Sequence, residues 1–255
     1  MNSINGGVTA PKGFKAAGVH CGVKAGSSPE KNDLAMILSE TECVAAATYT
    51  LNRVKAAPLY VTMDHLENGV CRGIIANSGN ANACAPHGEE NAKKMCAAAA
   101  KAIGCKAADV LVSSTGVIGQ TLNVKVIEDG APELYSALAA TPEASDAAAH
   151  AIMTTDTVKK EVAVETTVGG KTVRMGGIAK GSGTIHPNMG TMLAFLTTDC
   201  AISADVLQSA LYDTTKVTFN RISVDGDTST NDTCCILASG AAGNPLIDWK
   251  SEDYD

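Results

Sequence analysis

A layered α/β domain with a mixed sheet is the fold class this sequence predicts, and three observations predict it. Segments of strand character and of helix character alternate along the chain, the pattern of helices packed on a sheet. Of the 255 residues, 45% are apolar, ample for a buried core, and the length allows one large domain or two smaller ones. Only 4% are aromatic, so Ala, Val, Ile and Leu must build that core, as in closely packed α/β layers.

The elements follow in order. Leu34 to Leu38 and Gly73 to Ala76 read as short strands, and a Gly/Asn-rich loop, Asn77 to Ala83, follows the second. An alanine-rich helix is expected from about Glu89 to Ile103. Its acids lie at the start, its lysines further on, and Gly104 ends it, an order that suits the helix dipole. Val110 to Val112 reads as a buried strand leading into Ser113-Ser114-Thr115-Gly116-Val117-Ile118-Gly119. Helices are expected over Val124 to Ala139 and Glu143 to Met153, the latter opened by the cap-and-proline pair Thr141-Pro142. Lys160 to Thr167 and Lys171 to Ile178 flank Gly169-Gly170 and read as a hairpin. After the turn Lys180-Gly181-Ser182-Gly183, the apolar run Met192 to Thr197 suits a central strand. Ser203 or Asp205 can cap a helix running to about Tyr212, and Val217 to Val224 reads as a further strand.

Composition excludes several functions. A net charge of -7 repels phosphate backbones, so nucleic-acid binding is not expected. No apolar run approaches bilayer length, and Met1 to Gly7 is polar and glycine-rich, unlike a secretion signal. The nine cysteines are scattered, without a CxxC pair or zinc-ligand spacing, and read as buried thiols of a reducing cytoplasm. The Asn231-Asp232-Thr233 sequon has no meaning there. No nucleotide-binding glycine fingerprint or P-loop is present. Asp225, Asp227 and Asp232 lack the closing Glu of a calcium loop, so calcium is not expected, and no other metal or organic cofactor is implied.

Chemistry concentrates in Lys180 to Leu193. Gly190 leaves the peptide before Thr191 sterically open, so the Thr191 hydroxyl could attack the preceding carbonyl in an N-to-O acyl shift. Hydrolysis of the ester would free Thr191 as a new N-terminus. Its α-amine, with a pKa of about 8, could then act as base for its own hydroxyl. By spacing alone a Thr at a strand start is more often a β-branched residue in a suitable place. A Ser-Thr-Gly turn after a buried strand can likewise aim a hydroxyl and an N–H at one point, or be an ordinary turn in which Gly116 supplies an unusual backbone angle.

Five segments in order resemble the ornithine acetyltransferase family, also called bifunctional glutamate N-acetyltransferases. They are Ala76 to Ala83, Ser114 to Gly119, Met153 to Thr157, Lys180 to Leu193 and Asp225 to Asp232, and the match runs from about Gly6 to about Gly240. The resemblance implies a layered mixed-sheet sandwich of that family's type. It implies self-cleavage between Gly190 and Thr191, giving an α-chain region, 1–190, and the N-terminal part of a β-chain region, 191–255. The family usually has Ala where this chain has Gly190. Members also continue past Asp255, so a C-terminally truncated member is expected.

By resemblance, Thr191 is the nucleophile, and Thr115 and Gly116 form an oxyanion hole, whose donors each contribute about 3–4 kcal/mol to acyl transfer. Thr154, Lys180 and Thr191 contact substrate; otherwise Lys180 is a solvated charge and Thr154 a local turn residue. The implied reaction moves an acetyl group from N-acetylornithine to glutamate in arginine biosynthesis. Some members use acetyl-CoA as donor, and the fragments assemble as α2β2. Asn77, Asn80 and Asn82 shape the loop without an assigned role, and His186 is left out because the Thr amine fills the role of base. Two alternatives stand beside this: an aminopeptidase or amidase with the same kind of nucleophile, and an inactive family remnant.

Overall fold

The computed structural model describes residues 1–183, 192–225 and 227–252. Among these, nine strands form one hydrogen-bonded sheet in the order β1-β6-β7-β8-β9-β3-β4-β5, with β2 also paired to β3. The strands are β1 (Asn2–Ile4), β2 (Phe14–Val19), β3 (Leu34–Tyr49), β4 (Val70–Asn77), β5 (Val110–Ser114), β6 (Lys160–Val168), β7 (Lys171–Lys180), β8 (Leu193–Thr198) and β9 (Thr233–Ala238). The helices are α1 (Ala57–His65), α2 (Gly88–Ile103), α3 (Val124–Ser136), α4 (Pro142–Ala151) and α5 (Ala204–Val217).

Strand β3 explains the layering. Its first half, Leu34–Ser39, pairs with β2, while Val44–Tyr49 pairs with β9 along the same edge. Between them Glu40, Thr41 and Glu42 are exposed, and the pairing with β4 shifts register between Leu38 and Cys43. A polar, irregular stretch lets a strand pass from one layer to another. Ala35 and Ile37 of the first half then share a core cluster with Ala45 and Ala47 of the second, so the sheet is folded upon itself across β3. The alternate residues face outward. Leu34 and Met36 pack with Met95 and Ala99 of α2 and Ile127 of α3, and Ala46 packs with Leu207 and Leu211 of α5. Helices thus cover both outer faces of a layered, mixed α/β sandwich.

Local sequence sets the helix ends. Glu89 and Glu90 occupy the first turn of α2, and Gly104 closes it at φ 81° with its N–H on the Ala100 carbonyl. Thr141 caps α4 by accepting the Ala144 N–H at 3.3 Å. The hairpin around Gly169-Gly170 forms as expected, both glycines at positive φ.

Three expectations are corrected. Val217 to Val224 is not a strand: Val217 ends α5, Phe219–Arg221 is a 3₁₀ turn, and Val217, Ile222 and Val224 are exposed. Strand β3 runs eleven residues beyond Leu38. The strands β1, β2 and β9 and helix α1 are additional elements.

Candidate active site

Folding the sheet across β3 brings together chain segments far apart in sequence. Parallel strands β4 and β5 end side by side at Asn77 and Ser114. Antiparallel β7 ends at Lys180, beside Leu193 at the start of β8, and β8 starts level with Thr233 of β9. The two groups meet where the Asn231 amide donates to the carbonyls of Ala81 and Ser114, at 2.7 and 2.8 Å.

The Asn-rich loop after β4 is a scaffold. Asn77 donates to the Asn80 carbonyl at 2.9 Å and accepts the Ser114 hydroxyl at 2.7 Å. Asn80 accepts the Asn82 N–H at 2.7 Å, and Asn82 donates to the Gly88 carbonyl at 2.8 Å. These buried side chains stand in for backbone partners that an irregular loop lacks.

On this platform sit Thr115 and Gly116. The Thr115 N–H is bonded to the Asn77 carbonyl at 2.9 Å. Gly116 has φ 136°, and a Cβ there would lie 2.3 Å from the Gly79 carbonyl carbon, so only glycine fits. Gly116 is exposed, and its N–H has no acceptor among the described residues. The unusual backbone angle and an N–H without an acceptor among the described residues therefore come together.

Lys180 is 2% exposed, which excludes a solvated surface charge. Its Nζ donates to Thr115 Oγ1 at 2.9 Å, leaving the hydroxyl proton free to point elsewhere. Burial pushes the Lys180 pKa below the ordinary lysine range, opposed by the charges of Asp156 and Asp232. Asp156 has a fully buried side chain and accepts from the Gly181 N–H at 2.8 Å and from Lys160 at 2.7 Å. Burial raises its pKa, but these donors outweigh that and hold the carboxyl below its usual range. Thr154, half-buried, lies in the same turn, its N–H 3.5 Å from Asp156 Oδ2, and the Thr155 and Ser182 hydroxyls bond at 2.7 Å.

A cavity of about 370 Å³ is lined by Thr115, Gly116, Thr154 and Lys180, with Lys24 and Lys31 at the exposed mouth. Four of the six residues expected at the site thus surround one space. The other two, Gly190 and Thr191, lie outside the described residues, as does His186.

Asp232, considered in the sequence only for a metal loop, belongs to this region. It is fully buried, and its Oδ1 accepts the Met192 N–H at 2.8 Å. Oδ2 has no hydrogen-bond partner among the described residues. Burial pushes its carboxyl up to about 7, against the Met192 N–H, the nearby Ser229 hydroxyl and Lys180. The signal available in the sequence is its place in the Asp225 to Asp232 segment, one of the five matching motifs. Among the described residues no His/Cys/Asp/Glu group could hold a metal, and no helix is long and apolar enough to cross a membrane.

Comparison with known proteins places the chain in a family. The chain is 48% identical over 255 residues to the arginine biosynthesis bifunctional protein ArgJ of Symbiobacterium thermophilum, covering all of this chain and 63% of that protein. It therefore spans about three fifths of that relative's length. The crystal structure of the Bacillus halodurans ArgJ matches with a TM-score of 0.68 at 43% identity, covering 75% of this chain and 98% of that one. The ornithine acetyltransferase of Mycobacterium tuberculosis, solved in complex with ornithine, matches with a TM-score of 0.65 at 39% identity, covering 73% and 96%. The ArgJ family model matches residues 15–255, and the chain belongs to the ArgJ family.

Proposed function

We propose that the protein to which this chain belongs transfers acetyl groups from N-acetylornithine to glutamate, after cutting itself between Gly190 and Thr191. The observation that carries this reading is the 2.9 Å bond from Lys180 to Thr115, which joins the expected oxyanion and substrate residues around one cavity.

In the cut, the Thr191 hydroxyl attacks the Gly190 carbonyl, the C–N bond breaks to leave an ester, and water hydrolyses it. Region 1–190 then ends in a carboxylate and region 191–255 begins with the Thr191 amine. In turnover, that amine takes the proton of its own hydroxyl as the oxygen attacks the acetyl carbon. The Thr115 hydroxyl and the Gly116 N–H hold the oxyanion, and ornithine departs with the proton. Glutamate attacks the acetyl-Thr191 ester and leaves as N-acetylglutamate. Lys180 and Thr154 bind the amino-acid part of each substrate, the lysine through a carboxylate.

The two fragments stay joined and pair into an α2β2 assembly. All nine cysteines are unbridged, which suits a reducing cytoplasm.

The full-length protein, incubated with N-acetylornithine, should release ornithine beyond one equivalent per active site only when glutamate is present. Continued release without glutamate would identify a hydrolase of the aminopeptidase or amidase kind, and no release would identify an inactive member. Replacing the donor with acetyl-CoA decides whether that donor is also accepted.

A further inference from the structure

On the reading above, the first cut lacks a base: the α-amine that would deprotonate Thr191 does not exist until the peptide bond is broken. We propose that Asp232 is the proton acceptor for self-cleavage. It takes the Thr191 hydroxyl proton as the oxygen–carbon bond to Gly190 forms. It returns that proton to the Thr191 nitrogen as the carbon–nitrogen bond breaks, so the carboxylate is regenerated.

Three observations support this. Oδ1 of Asp232 is bonded to the N–H of Met192, the residue that directly follows Thr191, so the carboxylate is fixed to the chain at that point. Its other oxygen, fully buried, has no hydrogen-bond partner among the described residues, although most buried polar atoms do. A carboxyl titrating at about 7 is matched to proton transfer near neutral pH. Lys180 is the charged group facing Asp232 from β7, and Asp156 in turn faces Lys180. Lys180 is the weaker candidate, because its Nζ is already engaged by Thr115.

The test follows cleavage by intact mass in full-length protein made by cell-free translation and moved to buffers across roughly pH 5.5 to 8.5. The parent is expected to cut faster as pH rises, levelling off above about 7, because the acceptor must be ionised. Asp232→Asn keeps an oxygen for the Met192 N–H but removes the acceptor. It is expected to cut about 100-fold more slowly, with no rise near neutral pH. Cutting at the parent rate overturns the proposal, and so does slow cutting that keeps the rise. A rise displaced to lower pH also overturns it and points to Lys180, whose pKa falls further once the Asp232 charge is gone. If Asp232→Asn does not melt cooperatively, Asp232→Glu decides: a displaced pH profile supports the proposal, a parental one refutes it. A parent that stays whole, or cuts elsewhere, sinks the Thr191 reading and this proposal together. A correct parental cut with an indifferent variant sinks the proposal alone.

Discussion

The buried carboxylate of Asp232 should cost stability in a pH-dependent way. Thr191→Ala and Thr191→Ala/Asp232→Asn proteins make a clean comparison, because neither is expected to be cut. In the folded chain the Asp232 carboxyl is raised from 3.8 to about 7. The folded state therefore holds a proton that the unfolded state releases between those values. Stability is fully present below pH 3.8 and is lost as pH rises through about 7. At about 1.4 kcal/mol per tenfold, the full loss is about 4 kcal/mol, most of it incurred above about pH 4.5. Asn does not titrate and keeps the acceptor for Met192. Denaturant unfolding should show Asp232→Asn more stable, relative to its background, by about 3 kcal/mol more at pH 8 than at pH 4.5. An equal difference at both pH values would mean that Asp232 is ionised in the folded protein without penalty, and the case for it as a neutral-pH base would fail.

Other perturbations have calculable outcomes. Gly116→Ala sets a Cβ 2.3 Å from the Gly79 carbonyl carbon at a φ of 136°. It should lower stability by about 2–5 kcal/mol and, by turning the N–H, lower kcat by about 100-fold or more; a thermal melt and steady-state kinetics check both. Asn231→Ala removes both bonds that join the loop after β4 and the end of β5 to the start of β9. It leaves two buried carbonyls unpaired and should cost about 2–4 kcal/mol in denaturant unfolding. After cleavage the pieces should co-elute on gel filtration and part only in denaturant. β8 lies between β7 and β9, and β9 pairs with β3, so strands from both pieces share one sheet.

Much of the fold is visible in the sequence wherever local signals agree with burial. The Gly-Gly hairpin, the Glu-to-Lys order of α2 and the Thr-Pro start of α4 each carry their own capping or turn chemistry. Strand β3 does not, since Ser39 to Glu42 is polar and Ala45 to Ala47 suits a helix as well as a strand. Pairing with β4 and β9 decides it, a tertiary effect that outweighs propensity. Strand β9 is buried along its whole length, so it lacks the alternation that marks a half-buried strand. Val217 to Val224 imitates a strand, but Val217, at the end of α5, and Ile222 and Val224 beyond it stay exposed, and only Phe219 packs on the core.

At the site, Thr115, Gly116, Thr154 and Lys180 are legible through motif order. Their convergence is not, since Lys180 bonds a residue 65 positions away. Asp232 was masked by its acidic neighbours, which suggest a cation loop until burial separates it from Asp225 and Asp227, both exposed.

The claim on which the rest depends is that one residue, exposed by breaking the chain, carries the acetyl group. Full-length protein incubated with N-acetylornithine and no glutamate, quenched in acid and weighed intact, tests it directly. The predicted result is two chains divided between Gly190 and Thr191, with one acetyl group on the amino-terminal Thr191 of the second, lost when glutamate is added. An acetyl group on any other residue, or transfer at full rate by an uncut chain, would contradict it.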